Sequence, residues 1–453
     1  METPMPHHLL EKYSANVPRY TSYPTAPHFH DGVGAADYAN WLGALAPGDT
    51  LSLYVHIPYC DRLCWFCACH TKQTQKYAPV KAYLQALHAE IESVGRLVSR
   101  QCRVTALHLG GGSPTMLAPE DMVALKARLA TSFNFAAEAE ISVEMDPNDL
   151  DEGRYDALAA IGMTRASLGV QDFDMDVQRA INRMQTLEQT ASVVDAVRRR
   201  GVGSVNCDIV YGLPRQTMAK LERTIDDIIG LKPDRIALFG YAHVPWMKKH
   251  QTMIDESSLP GLDARYAMMR RAGDMLLEAG YLQVGMDHFA LASDSLALAM
   301  QDGRLARNFQ GYTPERSTAL IGLGASSIGR FPQGHVQNNP AAGVYEKQVL
   351  AGDLAAFRGI AFSEEDHVRA FVIERLMCDF ELCFSDLARL FGDWAGVILA
   401  ESQALAAADA DGHVRIEADR LIVAIAARPF VRSIAAHFDV YFANGRGRHS
   451  AAV

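Results

Sequence analysis

From Leu51 the chain settles into a rhythm: short apolar runs ending in glycine or polar residues alternate with longer stretches whose apolar residues recur at helical spacing. The short runs are Leu51 to Pro58, Ala106 to Gly112, Glu140 to Asp146, Ala166 to Asp172, Val205 to Gly212 and Arg235 to His243. Between them lie the helical patterns Tyr77 to Val98, Pro119 to Ser132, Leu187 to Arg200 and Thr217 to Leu231. Strand, helix, strand at this pace predicts a parallel sheet joined by right-handed crossovers. Six such units predict an α/β fold of the incomplete (β/α)6 barrel type. In such barrels the groups just after each strand collect on the C-terminal rim, where active sites are built.

Outside that rhythm the pattern changes. Residues 1–50 read as an irregular N-terminal extension, with Pro18-Arg19-Tyr20-Thr21-Ser22-Tyr23-Pro24-Thr25 extended because residues before proline avoid the helical region. Residues 51–290 form the barrel, 291–360 a loop-rich connection crowded with Gly322, Gly324 and Gly329, and 361–453 a mostly helical, winged-helix-like domain. Within the last, Val414 to Ile425 reads as a hairpin turning near Ala418-Asp419-Arg420. The tail Arg446-Gly-Arg-His is expected to fray.

Composition narrows the function classes. A chain of 453 residues, 49% hydrophobic and 21% charged, can bury a sizeable core. Its net charge of -10 argues against binding nucleic acid or an anionic membrane, both of which need a basic face. Arg198-Arg199-Arg200 reads instead as cations at a helix C-terminus. No apolar run reaches the roughly 18 residues of a membrane span. The N-terminus lacks a basic segment followed by an apolar one, so no signal peptide is expected. Clustered cysteines then point to the reducing cytoplasm and to metal binding rather than disulfides.

Those cysteines follow the first strand. Cys60, Cys64 and Cys67 have C-x3-C-x2-C spacing, so three thiolates on one folded loop can grip three irons of a [4Fe-4S] cluster and leave the fourth open to a ligand. A structural zinc completed by Cys69, His56 or His70 is the alternative. Zinc sites more often pair two C-x2-C knuckles, and Cys102, Cys207, Cys378 and Cys383 are scattered. After the second strand, Gly110-Gly111-Gly112 lets backbone approach a ligand with no Cβ in the way, or simply makes a tight turn. It has neither the G-K-[ST] ending of a P-loop nor the G-x-G-x-x-G of a dinucleotide site. Strand alternation turns Glu144 toward the cavity that the cysteine loop faces. Gln171-Asp172 and Asn206-Cys207-Asp208 stand at equivalent strand ends, either as a ring of polar contacts or as helix caps.

Taken together these motifs resemble the radical S-adenosylmethionine (SAM) enzymes, and within them the oxygen-independent coproporphyrinogen III oxidase family. The match runs through Pro18 to Thr25, Cys60 to Cys69 with its closing C-x-C, Gly110-Gly-Gly-Ser-Pro-Thr, Gly169-Val-Gln-Asp-Phe, Tyr211-Gly-Leu-Pro, Gly285-Met-Asp-His-Phe and Arg307-Asn-Phe-Gln-Gly-Tyr-Thr. The resemblance implies a radical-SAM barrel whose site is covered by residues 1–50 and closed by 291–360. It implies a cluster on Cys60, Cys64 and Cys67, with Cys69 nearby but not a ligand, and two SAM molecules per chain. The first SAM would meet Tyr54, Gly111, Glu144 and Ile328; the second Phe66, Gly112, Ser113, Gln171, Arg183, Asp208 and Ala242. The implied chemistry is hydrogen abstraction by a 5'-deoxyadenosyl radical from two propionates of coproporphyrinogen III, each losing carbon dioxide to become a vinyl, which gives protoporphyrinogen IX.

The resemblance further implies an electron donor such as flavodoxin or ferredoxin, and a monomeric protein. Arg19, Arg307 and Arg330 are candidates for the substrate's carboxylates. Three positions depart from the family: Ser113 for the common threonine, Met184 for a usual glutamate, and Leu291 for a usual basic residue. The competing readings are a haem-binding, chaperone-like relative and a radical SAM methylase or haem-degrading relative.

Overall fold

The computed structural model describes residues 7–443, so Met1-Glu-Thr-Pro-Met-Pro and the Arg446-Gly-Arg-His tail lie outside the described residues. The chain divides into two compact units, one of Phe29–Leu259 with Ser317–Ala361, the other of Met1–His28, Pro260–Arg316 and Phe362–Val453.

In the first unit the strands β1 (Thr50–Ile57), β2 (Arg103–Gly111), β3 (Phe135–Met145), β4 (Arg165–Gln171), β5 (Ser204–Tyr211) and β6 (Arg235–Gly240) pair in chain order, all parallel. Their crossovers carry helices α1 (Tyr77–Leu97), α2 (Pro119–Ser132), α3 (Glu152–Ala160), α4 (Leu187–Arg199) and α5 (Met218–Leu231). The six-unit reading of the sequence is therefore the architecture observed. Each strand alternates. On β1, Leu51, Leu53, Val55 and Ile57 are buried on one face, while Ser52, Tyr54 and His56 occupy the other. On β3, Ile141, Val143 and Met145 oppose Ser142 and Glu144. One side of this sheet is a hydrocarbon core; the other is polar.

The stretch 291–360, expected to be loop-rich, instead extends the sheet from Ser317 onward. Strand β7 (Ala319–Leu323) pairs parallel to β1, and β8 (Ile328–Phe331), β9 (Gly334–Asn338) and β10 (Ala356–Ala361) follow antiparallel. These strands are short, and their glycines read as turns. The glycines serve close backbone approach: a Cβ on Gly322 would lie 2.8 Å from the carbonyl carbon of Ile328. Glu90 of α1 ties the extension down, accepting from Gly324 N–H, Asn338 Nδ2 and Tyr345 Oη, each at 2.6 Å. Burial lifts its carboxyl to about 7 despite those three donors.

The second unit contains helix Leu262–Glu278, the hairpin Leu282–Val284 with His288–Ala290, and helix Glu364–Asp379. Beyond that helix come strand Glu381–Cys383, helices Phe384–Phe391 and Trp394–Ala408, and the antiparallel pair Val414–Glu417 with Arg420–Val423. Helix, strand, two helices and a hairpin is the winged-helix order, and the hairpin turns at Ala418, whose φ is 48°. Its core gathers Leu376, Leu382, Leu387, Ile398, Leu421 and Phe438, and receives Tyr20 and Tyr23 from the N-terminal segment. Among the described residues no helix is long and apolar enough to cross a membrane.

Candidate active site

The loop after β1 folds back on itself. Tyr59–Cys60 pairs with Lys72–Gln73, Lys72 N–H reaches Pro58 O at 2.8 Å, and Thr74 N–H reaches Cys60 O at 2.9 Å. Inside this return, Cys67 N–H bonds Cys64 O at 3.2 Å, Trp65 N–H bonds Ile181 O at 2.9 Å, and Asn182 Nδ2 bonds Leu63 O at 2.9 Å. All four cysteines of the loop are free thiols; Cys64 is buried, Cys60 and Cys67 half-buried, and Cys69 exposed. Polar groups converge on the sulfurs: Thr71 Oγ1 lies 3.1 Å from Cys60 Sγ, Cys69 N–H donates to Cys67 Sγ at 3.4 Å, and Arg183 Nη1 to Cys64 Sγ at 3.6 Å. Donors of this kind tune metal-bound sulfur.

Burial pushes the Cys60 thiol up to about 12, and raises Cys64 against the opposing charge of Arg183. The hydrogen bond with Cys69 draws Cys67 below the ordinary thiol value. Thiolate is the ligating form, so loading the loop must displace protons. Three thiols on one folded loop, each with a polar group against its sulfur, are a donor set that fits a polynuclear iron-sulfur cluster.

The glycine triplet is packed against this loop. Gly112 N–H bonds Ile57 O and Ser113 N–H bonds Tyr59 O, both at 2.8 Å. A Cβ on Gly112 would lie 2.4 Å from Tyr59 O, and one on Gly110 2.7 Å from Glu144 Oε1. Gly111, with φ of 111°, donates to Glu144 Oε2 at 3.0 Å. The other oxygen, Oε1, lies 3.0 Å from His108 Nε2. Burial would raise the Glu144 carboxyl, but the hydrogen bond and charge of His108 and the Gly111 N–H outweigh it and hold the group below its ordinary value. Tyr54 stacks on His108 with centroids 5.8 Å apart. Burial keeps His56 neutral. Because His56 Nε2–H donates to His70 O at 2.8 Å, its Nδ1 accepts from Tyr54 Oη at 2.9 Å. Tyr54, Gly111 and Glu144 are thus joined through two histidines to which sequence reading gave no such role. Ile328 sits on β8 against Gly322, and Gly322 is level with Tyr54 on the neighbouring strand.

A second group surrounds the other arm of the loop. Arg183 is buried and forks between Asp146 Oδ2 at 3.0 Å and Gly169 O at 2.5 Å. Burial works against its charge, but Asp146 and the Cys64 sulfur keep it protonated. Arg62 shares Asp146 at 3.3 Å. A Cβ on Gly169 would meet Gln171 Nε2 at 3.0 Å and Arg183 Nη2 at 3.1 Å, which draws Gln171, itself at φ 70°, into the group. Asp208 accepts from Asn206 Nδ2 at 2.8 Å and lies near Ser167 Oγ. Ser113 turns its hydroxyl to Thr115 Oγ1 at 2.9 Å. Asp172 braces the loop, accepting from Gln216, Thr224 and Asp174 N–H, and burial raises it to about 6. Phe66 and Ala242 are joined by a residue that sequence reading missed. The fully buried Gln251 donates from Nε2 to Phe66 O at 2.9 Å and Ala242 O at 3.2 Å, and accepts from Val244 N–H at 2.5 Å. No periodicity or motif flags that glutamine.

The candidate arginines divide. Arg330 is exposed on β8. In the second unit Arg307 bonds the carbonyls of Tyr20 at 3.2 Å and Arg19 at 3.3 Å and lies over the Tyr312 ring, so it shapes the segment that presents the exposed Arg19.

Residues 54–228 match the family model described as the Radical SAM superfamily. A protein named oxygen-independent coproporphyrinogen III oxidase from Paracoccus denitrificans is 46% identical over 98% of this chain and 98% of its own length. One of the same name from Bradyrhizobium diazoefficiens is 45% identical over 96% of this chain and 97% of its own. Among solved structures, coproporphyrinogen III oxidase from Escherichia coli, described as a radical SAM enzyme, matches with a TM-score of 0.89 at 37% identity, over 93% of this chain and 97% of that one.

Proposed function

Because this chain belongs to the oxygen-independent coproporphyrinogen III oxidase family of radical SAM enzymes, we propose that Cys60, Cys64 and Cys67 hold its cluster and that the two residue groups around the cysteine loop bind two SAM molecules. The enzyme is an oxidoreductase of haem biosynthesis that converts two propionates of coproporphyrinogen III to vinyls without oxygen. Its cluster and SAM together supply the radical that removes hydrogen from the propionate. The chain's own residues bind and orient. Glu144, held ionised, suits an ammonium or a ribose diol and belongs with Tyr54, Gly111 and Ile328 to the first SAM. Arg183, held charged, suits a carboxylate and belongs with Phe66, Gly112, Ser113, Gln171, Asp208 and Ala242 to the second. Arg19 meets the substrate's carboxylates, the protein works as a cytoplasmic monomer away from nucleic acid and membrane, and flavodoxin or ferredoxin supplies its electrons.

The observation that carries this reading is the convergence of Thr71, Cys69 N–H and Arg183 on the three thiols of one folded loop. The test is anaerobic. Protein reconstituted with iron and sulfide, given reductant, SAM and coproporphyrinogen III, should release two carbon dioxide molecules per vinylated product and form deoxyadenosine. Deoxyadenosine without vinyl product refutes the substrate; purified material holding only Zn(II) refutes the cluster.

A further inference from the structure

The segment that follows β6 is strapped to the cysteine loop. Lys248 Nζ donates to Cys69 O at 2.9 Å, His250 Nε2 to Cys67 O at 2.6 Å, and Gln251 Nε2 to Phe66 O at 2.9 Å. The same segment presents Trp246, Met247 and Met253 to solvent, at 48%, 63% and 58% exposure. Three of the fifteen exposed large hydrophobic residues among those described therefore fall within eight positions. Met184 is also exposed, at 42%, and Arg62 of the cysteine loop reaches its carbonyl at 3.5 Å. The cysteine loop to which the segment is strapped is itself firmly seated, with Trp65 and Phe66 packed against the buried Val177, Ile181 and Ile254.

Isolated apolar residues on a surface need no explanation, but a concentration of them on a segment held by hydrogen bonds to the cysteine loop marks an interaction site. Its charge identifies the partner. The chain carries a net -10, yet here it places Lys248, Lys249 and His250 in succession, with Asp255 and Glu256 confined to the flank beyond Met253. Aromatic and methionine side chains with a cationic rim suit an acidic protein that binds briefly and is steered by charge. Resting on the family reading above, we propose that this patch docks a small acidic one-electron carrier protein that reduces the cluster. The route inward is short, from the strap through the hydrogen bonds of Lys248 and His250 to the backbone of Cys67 and Cys69. One electron leaves the carrier's reduced cofactor and enters the cluster; no proton or group moves with it.

The probe is an acidic flavodoxin, and the proteins are the reconstituted wild type, the double variant Trp246→Ala with Met247→Ser, and Lys249→Glu. Calorimetry at low salt should show flavodoxin binding about tenfold weaker in the double variant. Lys249→Glu should weaken binding at low salt, with the difference shrinking as salt is added. Deoxyadenosine formation driven by photoreduced flavodoxin should fall in step, while formation driven by dithionite stays within twofold of wild type. No measurable flavodoxin binding by the wild type, or equal affinity in all three proteins, overturns the proposal. Affinity is read without turnover, so a wild type inert even with dithionite would sink the family reading while the binding data still decide the surface.

Discussion

Replacing Gln251 by glutamate changes almost nothing in shape and reverses the chemistry of one atom. In the wild type Nε2 donates to Phe66 O and Ala242 O, and Oε1 accepts from Val244 N–H. In Gln251→Glu the atom facing the two carbonyls is an oxygen. Protonated, it satisfies one carbonyl, so the variant loses one hydrogen bond, about 1 kcal/mol. Ionised, it satisfies neither and sits buried against two acceptors, so its folded-state pKa rises; buried carboxyls rise by about 2 to 3 units or more. A raised folded pKa means stability that is complete below the unfolded value, about 4.3, and is lost as pH climbs through the folded value, at about 1.4 kcal/mol per unit. The deficit against wild type should therefore grow from about 2 kcal/mol at pH 5 to about 4–5 kcal/mol at pH 8. Urea denaturation of the reconstituted proteins across that range measures it. At pH 8 equilibrium dialysis should find one SAM bound per chain instead of two, with iron and sulfide content unchanged. A deficit that does not vary with pH, or two SAM bound at pH 8, would refute the view that this glutamine holds Phe66 and Ala242 in place.

Gly112→Ala should cost about 1–3 kcal/mol and impair cluster loading, because the added methyl collides with Tyr59 O; normal iron content and an unchanged melting temperature would contradict this. Cys69→Ser should retain wild-type iron and sulfide after reconstitution whereas Cys67→Ser should not, and equal loss in both would make Cys69 a ligand. Glu90, lifted from 4.5 to about 7, should make the wild type lose about 3 kcal/mol of stability between those pH values. Glu90→Gln should abolish that slope, and identical pH dependence in the two proteins counts against it. Arg19→Ala should raise the KM for coproporphyrinogen III several-fold while leaving substrate-independent SAM cleavage intact; an unchanged KM removes Arg19 from the site.

Sequence alone was sufficient for the six parallel strands and the cysteine loop, because both are local. Burying one face of each strand against a helix imposes alternation and helical spacing within a dozen residues, and three thiols on one turn declare themselves by their spacing. The winged hairpin at Val414–Val423 was legible for the same reason. What only the tertiary structure decided lies between residues far apart in the chain. Strands β7 to β10 looked like loops since their glycines answer to neighbouring backbone, as at Gly322 and Ile328, and not to their own segment's pattern. Gln251 and Glu90 carry no signature, because any polar residue in a loop or helix reads the same until its partners, Phe66 and Ala242 or Gly324 and Asn338, are brought within hydrogen-bond reach. Periodicity records which face a residue turns inward; the pairing of one buried donor with one buried acceptor is settled only when the elements pack.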